Sequence, residues 1–571
     1  MLGSAGLAAQ NRPRQSGIED VLDYIADGWN TLTRSLNNCQ TFSDPKIQER
    51  AVLYLPAEMP ISLALSALQA KCNIRIEHLP SPIARLGTAE VNSITPPGLL
   101  FLEHSYVVPG GRFNEMYGWD SYFIILGLLR DGRIDLARGM VENFLFEIEH
   151  YGAVLNANRT YYLTRSQPPF LTSMIMAVYD AEKKTGKDDL TFLSRAYADA
   201  RKDYDMWVSV PHLAGATGLS RYFAFGEGPV PEEEGGYYHG VLRDLVRRLN
   251  TDYLEPQSSL PPQPVPERRA PDWPVMTVYL CAGAPASFDQ NACARTQTVG
   301  LSGDFYEGDR SMRESGFDIS FRFGLYGAET HHYAPVCLNS LLYKTEKDME
   351  QLSLRLGKTA EAREWAGRAA ARRARIQQYF WDEQRGLFVD YNFQTQQRST
   401  YEYATTFYPL WAGLATPEQA AAVAGNLVLF EQAGGLAASR RQTGMQWDYP
   451  YGWAPLQLLA AEGLRRYGFE QQANRISYEW LSTILETFRR EGSIREKYNV
   501  VTRSSETPVA AGYKTNVIGF GWTNGVFLEL LAKLPPPMLD RLKNEGAKRS
   551  RASGASEFAS PVVHGCDVVA P

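Results

Sequence analysis

Three segments of the chain concentrate residue types that bind hydroxylated rings. Residues 106–122 read YVVPGGRFNEMYGWDSY. The Pro-Gly-Gly turn lets bare backbone approach a ligand, and Arg112, Phe113, Glu115, Trp119 and Asp120 follow it closely. Residues 442–457, QTGMQWDYPYGWAPLQ, repeat that chemistry with Trp447 beside Asp448, then Trp453. Residues 156–170, NANRTYYLTRSQPPF, put Asn156, Arg165 and Gln167 near a turn stiffened by Pro168 and Pro169. A sugar needs such a mixture: an aromatic face for its C–H side, and fixed donors and charges for its hydroxyls. Each segment also has a plainer reading. The first suits a capped helix start with an internal Arg–Asp pair, Arg159 could anchor its loop, and both Trp residues of the 442–457 loop could be core.

Two further segments carry carboxylates. Residues 313–324, RESGFDISFRFG, contain Glu314, Asp318 and Arg322; residues 492–499, GSIREKYN, set Glu496 between Arg495 and Lys497. From local sequence alone Asp318 suits a helix cap and Glu496 a solvated surface charge. Nothing in their spacing brings them together.

The elements that must position these residues are mostly helical. SYFIILGLLRDGRIDLARGMVENFLFEIEHY has apolar residues at helical spacing, broken by a turn at Gly132. TAEAREWAGRAAARRARIQQYFW is rich in helix-favouring Ala and Arg, with an apolar face including Trp365, Ala369 and Ile376. PLQLLAAEGLRRYG and FLELLAKL are further helices that follow motif-dense loops. Period-2 alternation is scarce. The expected fold is all-α: a toroid of helical hairpins with long Gly- and aromatic-rich loops.

The chain has 571 residues, 44% hydrophobic and 21% charged, which excludes general disorder. Its formal charge of −6 implies no broad basic surface for nucleic acid. No run approaches the ~18–20 apolar residues of a membrane span. Aromatic residues reach 12%, which fits a ring-stacking cleft and a large core equally. Six scattered cysteines form no CxxC or zinc pattern; Cys281 and Cys293 are near enough in sequence to pair, and free thiols are the default expectation. Residues 1–17 read as a flexible leader without a basic n-region, 18–535 as the catalytic domain with a Pro-rich insertion near 250–300, and 536–571 as a disordered tail. The expected location is cytoplasmic, with the periplasm left open.

Taken together, the segments resemble the family 37 glycoside hydrolases, the α,α-trehalases. Pro109 to Tyr122 matches the family's Pro-Gly-Gly-Arg-Phe-x-Glu-x-Tyr-x-Trp-Asp-x-Tyr string at every fixed position, and Gln446 to Pro455 matches its Gln-Trp-Asp-x-Pro and Gly-Trp-Ala-Pro signature. The Arg-Ser-Gln-Pro-Pro, Glu-Ser-Gly-x-Asp and Gly-Phe-Gly-Trp-Thr-Asn-Gly segments follow in family order. The resemblance covers roughly residues 20 to 535 and implies an (α/α)6 barrel that hydrolyses trehalose, two α-linked glucoses, with inversion. It implies Asp318 as general acid and Glu496 as general base. Arg112, Phe113, Trp119, Asp120, Asn156, Arg165, Gln167, Glu232, Gly316, Trp447 and Trp453 are implied at the two glucose rings. An inverting pair should stand ~6.5–9.5 Å apart, and apolar neighbours such as Phe317 should keep Asp318 protonated. No metal or organic cofactor is implied; the partner is a neutral disaccharide, with no nucleic acid and no membrane, and the chain is expected to be a monomer. Four sites depart from the family: Val230 stands for an Arg, Ala511-Gly512-Tyr513 for a Gly-Glu-Tyr whose Glu contacts sugar, Phe317 for a Trp and Cys337 for an Asp. They keep two alternatives in view, a same-fold hydrolase of another small α-glucoside and a non-catalytic sugar-binding protein.

Overall fold

The computed structural model describes residues 17–42, 50–233, 236–248, 252–256, 274–280, 295–511 and 516–554. Helix α1 (Ile18–Leu32) and the short α2 (Leu63–Cys72) precede the main array. Two hairpins follow, α3 (Gly118–Arg130) with α4 (Ile134–Tyr151) and α5 (Leu171–Lys184) with α6 (Leu190–Trp207). Helices α7 (Tyr237–Arg247) and α8 (Gly303–Glu314) come next, then α9 (Val336–Arg355) with α10 (Thr359–Tyr379). The series ends with α11 (Tyr408–Ala412), α12 (Pro417–Gly425), α13 (Ala454–Arg466), α14 (Glu470–Glu491), α15 (Gly521–Ala532) and α16 (Pro536–Gly554).

Six of these helices touch in a closed ring, in the order α3, α5, α9, α11, α13, α15 and back to α3. Three of them carry long stretches buried without interruption: Gly118–Ile125 of α3, Ala454–Ala461 of α13 and Gly521–Leu530 of α15. A helix apolar all round belongs inside such an array. The outer layer shows the opposite pattern. Helix α10 buries only Ala362, Trp365, Ala369, Arg372 and Ile376, a stripe at three- and four-residue spacing. The turn at Gly132 (φ +70°) reverses the chain between α3 and α4, as the sequence suggested. Helix α1 packs on α14 and α15, and α16 packs on α14. This is the all-α hairpin toroid that the periodicity predicted.

The ring closes at a seam between α3 and α15 where glycines meet. A Cβ built on Gly127 would lie 2.6 Å from the Gly525 Cα, and one built on Gly525 would lie 2.0 Å from the Phe123 carbonyl oxygen. Gly525→Ala is therefore expected to lower stability by about 1–3 kcal/mol, the usual cost of forcing an extra methyl into a packed core; urea denaturation measures it.

Several expectations need correction. Residues 536–554 form a helix: the Pro residues stand at its first turn, where a missing N–H costs nothing. Leu542 is fully buried, and Glu545 accepts hydrogen bonds from Tyr478 and Ser482. Residues 1–16 and 555–571 lie outside the described residues. Cys39 and Cys72 form a disulfide, with Cα atoms 5.0 Å apart, that ties α2 to the 3-10 turn Cys39–Phe42. Cys337 is free and buried; Cys281, Cys293 and Cys566 lie outside the described residues. A small parallel sheet joins Val52–Leu55 to Arg75–His78 and Leu99–Leu100. Within the Pro-rich region, Leu254–Pro256, Val275–Leu280 and Arg295–Leu301 form an antiparallel sheet with the last strand central.

Candidate active site

The loops that lead into the inner helices converge on one cavity of about 610 Å³ including its mouth. Its wall includes Asp318 and Glu496 together with Phe113, Trp119, Asp120, Asn156, Arg165, Gln167, Glu232, Gly316, Trp447 and Trp453. Residues 178 positions apart in sequence thus share one wall. Arg112 does not line it: the turn puts Pro109 and Phe113 on the wall, and the Arg112 guanidinium carbon lies 5.3 Å from the Phe113 ring centroid.

The floor is aromatic. Trp447 and Trp453 stack with centroids 3.9 Å apart and planes 6° off parallel. Trp119 meets Trp522 edge-on at 5.5 Å and Phe317 at 5.6 Å. All three Trp residues named from the sequence are nearly fully buried, so they serve as core and cavity floor at once. Gly316 (φ +74°) sits against this cluster, and a Cβ there would come within 2.8 Å of the Trp119 ring. Only glycine lets the chain pass so close in the left-handed region.

Asp318 and Glu496 are each placed by backbone pairing. The Asp318 carbonyl accepts from the Gln446 side-chain amide (2.5 Å), and the Trp447 N–H donates to the Ile319 carbonyl (3.2 Å). The Gln-Trp-Asp loop thereby clamps the Asp318 peptide. Asp448 finishes the clamp, accepting from the Phe321 N–H and from the Ser320, Ser439 and Thr443 hydroxyls. Glu496 precedes the strand Lys497–Asn499, which pairs antiparallel with Tyr451–Trp453. Its N–H donates to the Val517 carbonyl (3.1 Å), and its carbonyl accepts from the Trp522 indole (3.3 Å). Far from being a surface charge, Glu496 is buried, and the fully buried Lys497 ammonium donates to its Oε2 at 2.9 Å. Arg495 turns away to Glu491.

Burial raises the Asp318 carboxyl to about 7, against the opposing pull of Arg313 and Arg165. Burial, with the Glu496 and Asp318 carboxyl groups nearby, also pushes Asp120 well above its ordinary value. Glu232 goes the other way: burial would raise it, but Arg165, which it pairs with directly, and Arg313 outweigh that and hold it below the usual range. The site therefore contains carboxyl groups in both protonation states near neutrality. Arg165 Nε, Glu232 Oε2 and Gln446 Oε1 are buried polar atoms without a protein partner. Buried groups are rarely left so, and a hydroxyl-rich ligand in the cavity would satisfy them.

Other residues named from the sequence hold the scaffold. Glu115 pairs with Arg159 at 2.5 Å, anchoring the Pro-Gly-Gly loop to the neighbouring one. Glu314 is fully buried, accepting from the Ser166 and Phe223 N–H groups. Arg322 makes a two-pronged pair with Asp390 at 2.8 and 2.6 Å, and donates to the Cys337 sulfur at 3.6 Å. The Val230 N–H donates to the Tyr238 hydroxyl; Gly512 and Tyr513 lie outside the described residues. Sequence reasoning did not single out Arg313, Tyr117, Tyr162, Gln446, Phe520 or Trp522, which also line the cavity. All six stand inside the segments already marked, so the segments were the available signal. Among the described residues, the one cluster with metal-ligand spacing is Asp304, His331 and His332, none of which lines the cavity.

The sequence model of the Trehalase family matches residues 18–254 and 266–535. A probable trehalase of Eremothecium gossypii is 36% identical over 559 residues, spanning 88% of this chain and 70% of that protein. The cytosolic neutral trehalase of Saccharomyces cerevisiae is 36% identical over 572 residues, spanning 88% and 69%. The solved structure of the neutral trehalase Nth1 from Saccharomyces cerevisiae superposes with a TM-score of 0.74 at 33% identity, covering 92% of this chain and 96% of that one. Ring, cavity and sequence thus agree over nearly the whole chain, which belongs to the trehalase family.

Proposed function

We propose that the protein hydrolyses α,α-trehalose to two glucose molecules with inversion, Asp318 acting as general acid and Glu496 as general base. The observation that carries this is the pairing of opposite roles on one wall: Asp318 is held protonated to about pH 7, while Glu496 keeps a buried lysine beside it. Asp318 donates its proton to the glycosidic oxygen as the C–O bond breaks. Glu496 takes a proton from water attacking the anomeric carbon from the opposite face, so the configuration there inverts. Asp120, its carboxyl pushed up by burial, offers a hydrogen-bonding group to a sugar hydroxyl. The ionised Arg165–Glu232 pair and Gln446 take up neighbouring hydroxyls through their unpartnered atoms. The trehalase names of the relatives favour trehalose over another small α-glucoside, and the retained carboxyl pair argues against a purely sugar-binding role.

Two measurements test the reading. Proton NMR during the first turnovers should show one α- and one β-glucose per trehalose; two α-anomers would mean retention. The pH profile of kcat/KM should lose activity as pH rises through about 7. Asp318 is protonated and competent below that value and ionised above it.

On location, two observations pull apart. The yeast relative is called cytosolic, whereas bridges such as Cys39–Cys72 persist mainly in oxidising compartments. Alkylation and mass spectrometry of cells lysed under acid, counting Cys39 and Cys72 as free or bridged, separate the two. Among the described residues no helix is long and apolar enough to cross a membrane.

A further inference from the structure

Two consecutive histidines outside the cavity point at one carboxylate. His331 and His332 lie on the 3-10 turn Thr330–His332, with ring centroids 3.9 Å apart. His331 Nε2 stands 2.9 Å, and His332 Nε2 3.4 Å, from the same oxygen, Oδ1 of Asp304 in the first turn of α8. A tetrahedral zinc ion with bonds of about 2.0–2.1 Å separates its ligand atoms by about 3.3 Å. The two spacings bracket that value. The frame is fixed before any ligand arrives: the Thr330 hydroxyl donates to the Gly327 carbonyl (2.6 Å), Arg221 donates to the His331 carbonyl (2.9 Å), and the Phe393 N–H donates to the His332 carbonyl (3.1 Å).

The inner histidine is the better fixed of the two: His331 is 3% exposed, and Oδ1 of Asp304 is the partner of its Nε2. One carboxylate oxygen is thus asked to serve two imidazoles in a place where the inner ring is cut off from water. Neutral imidazoles and a carboxylate suit zinc and its first-row neighbours better than magnesium or calcium, which prefer all-oxygen shells. His332 and Asp304 are more open than His331, leaving a side from which an ion and a water can enter.

We propose that Asp304, His331 and His332 form a binding site for one divalent transition-metal ion of the zinc class, with water as the fourth ligand. The ion would tie the turn before α9 to the start of α8. About 15 Å of helix then separates it from Glu314 at the other end of α8, so the site is peripheral to the cavity and independent of the reaction assigned above.

The test uses the full chain without a purification tag, stripped with chelator and titrated with zinc chloride by calorimetry. One equivalent should bind with a Kd of about 1 µM or tighter, and saturating zinc should raise the thermal midpoint through linkage. His332→Asn and Asp304→Asn each remove one partly exposed ligand, and each should abolish both effects while the apo midpoint stays near that of the parent. Absence of stoichiometric binding in the parent overturns the proposal, as does binding that persists undiminished in both variants. Magnesium chloride under the same conditions should give neither effect.

Discussion

Asn in place of Asp318 is expected to lower kcat for trehalose by about 10²–10⁴-fold, the range set by loss of a positioned proton donor. An amide keeps the shape of the side chain and cannot protonate the leaving oxygen. Because the missing interaction exists only in the transition state, kcat and kcat/KM should fall together. Folding separates this outcome from simple damage. Burial already disfavours the Asp318 charge. A neutral amide at that position should therefore leave the thermal midpoint at pH 8 no lower than the parent's. Glucose release and a melting curve on the same preparation check both halves, and near-normal hydrolysis would remove Asp318 from its role.

Lys497→Met should be nearly as damaging, by a different route. The ammonium is fully buried, donates to Glu496 Oε2 at 2.9 Å and stands 5.1 Å from the Trp453 ring centroid. Removing it leaves the buried Glu496 carboxylate without its cation, and breaking one half of a buried pair costs about 3–5 kcal/mol. Activity should fall as well, because the base loses the contact that fixes its orientation. Glu496→Gln should also abolish activity and be destabilising, since it leaves Lys497 unmatched. The double variant should recover most of the stability and none of the activity. Chemical denaturation of the four proteins measures this coupling; strictly additive losses would show that the pair does not act as a unit.

The long helices were legible because the 3.6 period is written over many residues: Trp365, Ala369 and Ile376 of α10 are all buried as their spacing implied. Two- to four-residue strands such as Leu99–Leu100 carry no period, and their pairing with Val52–Leu55 depends on residues far along the chain. Helix α16 carries few apolar positions, set among charges and a Pro triplet, so its sequence shows no apolar period. The Cys39–Cys72 bridge links residues 33 apart that no local pattern connects. At the site, the motif strings named most of the wall, yet the Arg-Glu-Lys run around Glu496 looked like a solvated surface. Only the strand pairing at Tyr451–Trp453, which turns Lys497 inward, shows otherwise. Arg112 is absent from the cavity wall for the converse reason: residue type suggested a ligand contact, and the turn places its neighbour Phe113 on the wall.

The glycine seam between α3 and α15 has a consequence for how the protein is made. Asp120, in the first turn of α3, and Trp522, in the first turn of α15, line the same cavity although some 400 residues of synthesis separate them. In a ribosome-bound chain that has not yet released α15, Gly127 and the Phe123 carbonyl would lack their contact with Gly525. Such a chain lacks the Trp522 edge of the Trp119 cluster. Hydrolytic competence should therefore arrive abruptly near the end of translation and not accumulate helix by helix, and a chain stalled before residue 521 is a substrate for chaperones and proteases.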